Sequence, residues 1–395
     1  MKINFPVRVP AAPLFAALLF PVLLTLWSCA GTFAPYLPAP ETERAGLYRE
    51  ISGTFDEALE RDLVLGLSAA MIDGTGESYS WHMGHSDPAR TRPIPPGAVY
   101  RIASISKIHT AVLFACMEKE GLLDYDDTLD TWFPEIRHAD RIRLSQLLNH
   151  TSGIGKITLR FPVYSRIYFH PDTVWQREEI LKIIGEMRPV GVSGKKHFYS
   201  NTNYILLGYI MEEAGASPLS ELYRRYIWSP LSLGRTFLLP DDEFPGGLIA
   251  GYSRGNIPFY RLYEVRPEQR GISSLVRGAG SIASTAEDTA RFLHALFHGR
   301  VIGGEQLGKM TENMVPRRDQ FHDYGYGLMR TTFNGQGGPG EGRTGYGHIG
   351  EFIGFSTIVF YFPDLDITFC ILTNTTPLDI EAMMSKILSV LEKYY

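Results

Sequence analysis

Ser104-Ile105-Ser106-Lys107, set between the strand-like Val99-Tyr100-Arg101-Ile102 and the apolar run Ile108, Val112 and Ala115, is the stretch from which the fold can be read. A serine and a lysine three residues apart on a helix share one face, and an amine held there can take the proton of a hydroxyl that is otherwise a poor nucleophile. The spacing of the apolar residues predicts a helix with a buried face that ends near Gly121. The same Ser-x-x-Lys spacing recurs at Ser193-Gly194-Lys195-Lys196. That copy follows Arg188-Pro189 in a Gly/Pro-rich loop, where nothing fixes the serine relative to the lysine, so context favours Ser104 over Ser193.

Working outward, Val64 to Ile72 and Glu77 to Gly84 flank Asp73-Gly74-Thr75-Gly76 and read as a hairpin ahead of the serine helix. Near the other end, Phe352 to Phe362 and Ile367 to Thr373 read as a second pair of apolar strands turning at Pro363-Asp364-Leu365-Asp366, and Leu378 to Tyr395 as a closing helix. The middle of the chain is mainly helical and loop in pattern, with helices expected at Glu178 to Met187 and Thr202 to Ala214. The expected architecture is α+β. Residues 46–120 and 300–395 form an antiparallel sheet flanked by helices, residues 121–299 form a mainly helical lobe, and the active site lies in the cleft between them.

The 395 residues are 44% hydrophobic and 21% charged with a formal charge of -5, which suits one or two globular domains and gives no reason to expect a nucleic-acid partner. Lys2 and Arg8 precede an apolar stretch from Ala11 to Trp27, about 17 residues, at the lower limit for crossing a bilayer and typical of an export signal. Leu26-Trp27-Ser28-Cys29 resembles a bacterial lipobox, although Trp27 departs from the small residues usual there. The expectation is a lipoprotein signal peptide over 1–28, a lipid-bearing Cys29, a tether over 29–45 that includes the Ala/Pro-rich Ala30 to Pro40, and a catalytic domain over 46–395. The other reading is an uncleaved membrane anchor, and both place the domain outside the cytoplasm. Cys116 and Cys370 fall in an expected helix and an expected strand, where each reads as a buried apolar filler with no requirement to pair.

Two further clusters carry chemistry. Tyr199-Ser200-Asn201 is the only Tyr-x-Asn among 21 tyrosines. A phenol near a lysine can act as a base, and an asparagine amide can both donate to and accept from a peptide-like substrate. The same residues also suit a helix start, with Ser and Asn capping exposed amides. His348-Ile349-Gly350 lies just before the strand expected from Phe352, and its glycine would permit close approach of a substrate; a structural histidine is the other reading. His82-Met83-Gly84 has the same pattern but precedes the serine. The seven glycines between Gly335 and Gly347 read as a flexible loop, because a phosphate cradle would need a Gly-Lys-Ser/Thr ending and a following helix.

In this order, Ser-x-x-Lys, Tyr-x-Asn and a basic residue-x-Gly resemble the serine β-lactamase and penicillin-binding superfamily, in its class C-like branch. Leu147-Leu148-Asn149-His150-Thr151-Ser152-Gly153 and Gly278-Ala279-Gly280-Ser281-Ile282-Ala283-Ser284-Thr285 resemble its linking stretches, and the likeness covers roughly residues 60 to 390. The resemblance implies that Ser104 forms an acyl-enzyme, that Lys107 and Tyr199 share the protons, and that the backbone amides of Ser104 and Glu351 bind the oxyanion. It also implies that Asn201, His348 and Gly350 bind a peptidoglycan-like peptide, amide or ester substrate, with no metal or other cofactor. Many β-lactamases carry lysine where His348 stands, so D,D-carboxypeptidase, D-aminopeptidase or esterase activity is favoured over β-lactam hydrolysis. Arg343 could compensate for the missing lysine charge, but the sequence does not place it relative to His348. A non-catalytic, lipid-anchored binding or sensor protein is the alternative from another class.

Overall fold

The computed structural model describes residues 44–395 apart from 62, 244–246, 255–261, 266–268, 317–321 and 334–341. The segment expected to be a signal peptide, Cys29, the Ala/Pro-rich Ala30 to Pro40 expected to be a tether, and the first part of the Gly-rich stretch lie outside the described residues.

Helix α1 (Arg44–Glu60) buries Leu47, Ile51, Phe55 and Ala58, a single stripe at helical spacing, and it starts within the segment expected to be a tether. Strands β1 (Gly66–Ile72) and β2 (Ser78–Gly84) form the first hairpin. Its turn is closed by Asp73 Oδ1, which accepts from the amides of Thr75 and Glu77 at 2.9 and 3.1 Å. The remaining elements that frame the site are helices α2 (Ser106–Lys119), α3 (Phe161–Phe169), α4 (Asn201–Ala214) and α5 (Ala286–Phe297). They are followed by strands β3 (Val315–Pro316), β4 (His322–Tyr324), β5 (Met329–Phe333), β6 (Arg343–Phe352), β7 (Phe355–Phe362) and β8 (Ile367–Thr373), and helix α6 (Ile380–Leu391).

The eight strands make one antiparallel sheet in the order β2-β1-β8-β7-β6-β5-β4-β3. The two ends of the chain meet where β1 pairs with β8, Leu67 opposite Thr373. Alternation sorts the faces. Leu67, Ala69 and Met71 of β1 and Ile367, Phe369 and Ile371 of β8 pack with α1 and α6, whereas Ala70, Cys370 and Leu372 face the side of α5 and α2. Helix α2 is buried over most of its surface, which is why its sequence is apolar nearly all round.

The sequence reading is corrected in three places. The expected strand from Phe352 to Phe362 is two strands, because Gly354 adopts φ +90° and closes a turn across which Phe352 pairs with Phe355. His348-Ile349-Gly350 therefore lies inside β6 rather than ahead of a strand, and the end of the Gly-rich stretch is strand from Arg343 rather than loop. Two small three-stranded sheets were also not foreseen, although the strand-like Val99 to Ile102 supplies one strand of the first. One joins Tyr100–Arg101, Ile282–Ser284 and Phe237–Leu238, and the other joins Thr375–Thr376, Gly251–Arg254 and Leu262–Val265. Strands this short carry too little alternation to be read from sequence. Finally, α6 ends at Leu391 rather than Tyr395. Among the described residues no helix is long and apolar enough to cross a membrane.

Candidate active site

Ser104 occupies a single 3-10 turn (Ala103–Ile105) that runs directly into α2, and it is the one residue from Arg101 to Thr110 that is not buried. The turn is held from three sides. Ala103 takes φ +50°, an unfavourable value for a residue with a Cβ, and Ser106 Oγ donates to Ala103 O at 2.7 Å while accepting from Ile282 N at 3.1 Å. Ile102 N donates to Ile282 O at 3.1 Å, which ties the turn to the small sheet. From the large sheet, Thr357 Oγ1 donates within 3.1 Å of both Ile102 O and Gly350 O. Gly350 admits this approach because a Cβ there would lie 2.5 Å from Ile102 O and 3.1 Å from Ala103 Cβ.

Lys107 Nζ lies 3.0 Å from Ser104 Oγ and donates to Ala279 O at 2.6 Å. It is fully buried, and among the described residues no carboxylate pairs with it. The rings of Tyr199 and Tyr204 flank it with centroids at 4.9 and 5.7 Å, a placement that favours the cation. Burial outweighs that attraction. It pushes the Lys107 amine well below its ordinary value, with the like charge of Lys156 a further cause in the same direction.

Tyr199 lies half-buried among the rings of His150 at 4.4 Å, Tyr324 at 5.8 Å and His348 at 6.3 Å. Ser200 does not cap α4 with its side chain; its hydroxyl donates to Gly155 O at 2.8 Å. Asn201 begins the helix, and among the described residues its buried Oδ1 has no hydrogen-bond partner. A buried acceptor left unsatisfied costs free energy unless a ligand meets it.

His348 is fully buried on β6. Its Nδ1 is 2.5 Å from Ile349 O, which can only accept, so Nδ1 carries the proton; in the neutral ring Nε2 then accepts from Tyr324 OH at 3.0 Å. The ring is therefore engaged by the protein on both nitrogens rather than presented openly to a substrate carboxylate. Glu351, two residues short of the β6–β7 turn, is exposed and pairs across the hairpin with Ser356. Arg343 pairs with Glu392 at 3.2 Å and with Asp364 at 4.0 Å, at the far end of β6 from His348.

The other copies of the motifs are engaged elsewhere. Ser193 Oγ is hydrogen-bonded to Gln146 Oε1, and His82 sits in β2 between Ser68 Oγ and Glu287 Oε1, each at 3.0 Å. Ala279, Ser106, Lys156 and Tyr324 were not singled out from sequence. A backbone carbonyl carries no side-chain signal, Lys156 and Tyr324 act on residues distant in the chain, and Ser106 joins Ala103 O to the distant Ile282 N. Cys116 and Cys370 are free thiols. Among the described residues no group of three or more His, Cys, Asp or Glu side chains could hold a metal ion.

The sequence pattern of the Beta-lactamase family matches residues 51–387. Penicillin-binding protein 4* of Bacillus subtilis (strain 168) is 26% identical over 311 residues, 75% of this chain and 65% of its own. The chain spans 55 to 65% of the length of the curated relatives it matches first. Among solved structures, D-amino acid amidase from Ochrobactrum anthropi SV3 superposes with a TM-score of 0.78 at 24% identity, covering 88% of this chain and 99% of that one. The D-stereospecific amidohydrolase from Streptomyces sp. gives 0.70 at 25% identity, covering 85% and 95%.

Proposed function

The chain belongs to the β-lactamase family, and we propose that it is a serine hydrolase that acylates on Ser104 and acts on a D-amino-acid amide, peptide or ester. The observation that carries this reading is the buried Lys107 amine 3.0 Å from Ser104 Oγ, kept toward its neutral form by desolvation. A neutral amine has a lone pair for the serine proton, whereas an ammonium has none.

In this mechanism Ser104 Oγ attacks the substrate carbonyl carbon while its proton passes to Lys107 Nζ. The carbonyl oxygen becomes an oxyanion at the amides of Ser104 and Glu351. Collapse breaks the bond to the leaving amine or alcohol, which takes the proton back through Lys107 and Tyr199. Water then attacks the acyl-enzyme ester, and its proton passes through Lys107 and Tyr199 to Ser104 Oγ as the Oγ–carbon bond breaks to regenerate Ser104. Asn201, with its unpartnered buried Oδ1, receives an N–H of the substrate. His348, engaged by Ile349 O and Tyr324 OH, supplies no permanent cation for a carboxylate, which supports peptidase, amidase or esterase chemistry over β-lactam hydrolysis. The likeness to the D-stereospecific amidohydrolase supports the D configuration.

The test is labelling with a fluorophosphonate and a fluorescent penicillin, followed by kinetics on paired D- and L-aminoacyl amides. Turnover with D preference supports the reading, a long-lived penicillin adduct indicates a penicillin-binding role, and absence of any adduct indicates a scaffold. The proposal extends to an envelope lipoprotein modified at Cys29; a fatty-acid analogue that labels Cys29→Ser as strongly as the parent would exclude that anchor.

A further inference from the structure

Of the fourteen large hydrophobic side chains exposed among the described residues, nine lie between Leu159 and Phe198, in one excursion of the chain between His150 and Tyr199. Helix α3 carries four of them: Phe161 is 80% exposed, Tyr168 70%, Phe169 69% and Tyr164 59%, and only Val163 of its nine residues is buried. Single exposed apolar residues are normal, but a cluster on one element marks a contact surface.

The excursion is bolted to the catalytic cleft. Gly155 O accepts from Ser200 Oγ and Thr202 Oγ1 at 2.8 and 2.7 Å, and Ile157 N donates to Thr202 Oγ1 at 2.9 Å, all beside Tyr199. Val190 N donates to Gly153 O at 2.9 Å, which brings a second loop with exposed Val190 and Val192 to the same base.

Charge identifies the partner. Residues 155–198 hold eight bases against four acids in a chain of net charge -5; three of the acids lie on the helix Arg177–Glu186, and the segments on either side of it hold Lys156, Arg160, Arg166, Arg188, Lys195 and Lys196 against Asp172. Arg166 pairs with Glu179 at 2.9 Å and Arg177 with Glu213 at 2.8 Å. Beside Val192, a cavity of about 390 Å³ adds Arg137, His138 and Arg141. Aromatic side chains ringed by lysine and arginine match the boundary between acyl chains and anionic headgroups. A second copy of this chain docking by the same face would present the same charge and be repelled.

We propose that this face docks on an anionic lipid bilayer, with Phe161, Tyr164, Tyr168 and Phe169 at headgroup depth and the basic side chains against the phosphates. The contact adds a second membrane signal to the apolar stretch Ala11 to Trp27, sets the mouth of the cleft beside the bilayer, and stands whether or not the hydrolase reading holds.

The experiment reconstitutes the full chain into vesicles that carry a photoactivatable diazirine phospholipid, in phosphatidylcholine alone or mixed with phosphatidylglycerol, and maps lipid adducts by mass spectrometry. Adducts within 157–170 and 188–198 are expected in the anionic vesicles, falling severalfold in high salt. They should be lost in the triple variant Phe161→Ser, Tyr168→Ser, Phe169→Ser, and also in the double variant Lys195→Glu, Lys196→Glu, which serves if the triple does not fold. Lipid adducts confined to residues before 44 overturn the proposal. So do cross-links between copies through α3, or folded variants that cross-link as the parent does.

Discussion

Gly350→Ala tests whether the large sheet positions the nucleophile. The added Cβ would lie 2.3 Å from Thr357 Oγ1, 2.5 Å from Ile102 O and 3.1 Å from Ala103 Cβ. The Thr357 hydroxyl can rotate away, but Ile102 O is main chain and already accepts from Ile105 N at 3.2 Å within the serine turn. Restoring an ordinary contact of 3.4 Å from 2.5 Å requires β6 and the turn to separate by about 0.9 Å. A displacement on the order of 1 Å at a reacting group costs about 10²-fold in rate. Overpacking of this kind also costs about 1–3 kcal/mol of stability. The assay is the second-order rate of Ser104 acylation by a chromogenic ester, with a thermal melt on the same sample. Acylation should slow by about 10²-fold with a lowered Tm, and Gly350→Ala/Thr357→Ala should not recover because the carbonyl contact remains. A rate within twofold of the parent at unchanged Tm would refute the reasoning, since β6 would then yield without moving the serine.

Ser104→Ala should abolish adduct formation while Ser193→Ala labels as the parent does, read by mass spectrometry of the labelled peptide. Because burial depresses the Lys107 value, activity should fall as pH drops through that value, and Lys107→Arg, which cannot become neutral, should lose about 10²–10⁴-fold in kcat/KM. Removing the like charge by Lys156→Ala should move that acid limb to higher pH; an unmoved limb would show that Lys156 is too well screened to matter. At pH values between the folded value and 10.5 the unfolded lysine binds a proton that the folded one lacks, so stability should rise with pH, and Lys107→Met should remove that component of the slope in denaturation curves. Asn201→Ala removes a buried acceptor that has no partner, so Tm should change by no more than about 0.5 kcal/mol equivalent while amide kcat/KM falls; a large loss of stability would assign Asn201 a structural role.

The relation of Ser104 to Lys107 could be read from sequence because three-residue spacing on a helix is local geometry, and the β1–β2 hairpin because alternation and the turn at Asp73-Gly74-Thr75-Gly76 are local too. The strand expected from Phe352 to Phe362 runs from Phe355 to Phe362, and its start was misplaced for a reason that is also local but ambiguous. A glycine in a largely apolar run does not by itself show that Gly354 will take φ +90° and reverse the chain. Tyr199-Ser200-Asn201 could be recognised as a helix start and a chemical cluster together, and only packing showed that Ser200 binds Gly155 O instead of capping.

The charge state of the site was beyond the sequence. Lys107 is the same residue in any context, but its loss of basicity comes from full burial, with Lys156 49 positions away in the chain, and its hydrogen bond goes to a carbonyl 172 positions away. His348 likewise carries no sign in the sequence of its burial on β6 or of its hydrogen bond with Tyr324. Helix face and hairpin turn follow from residues within a few positions of one another, so the sequence determined them; desolvation, like-charge repulsion and the fit of Gly350 against Ile102 depend on atoms that only the folded sheet and helices bring together, so tertiary structure decided the chemistry.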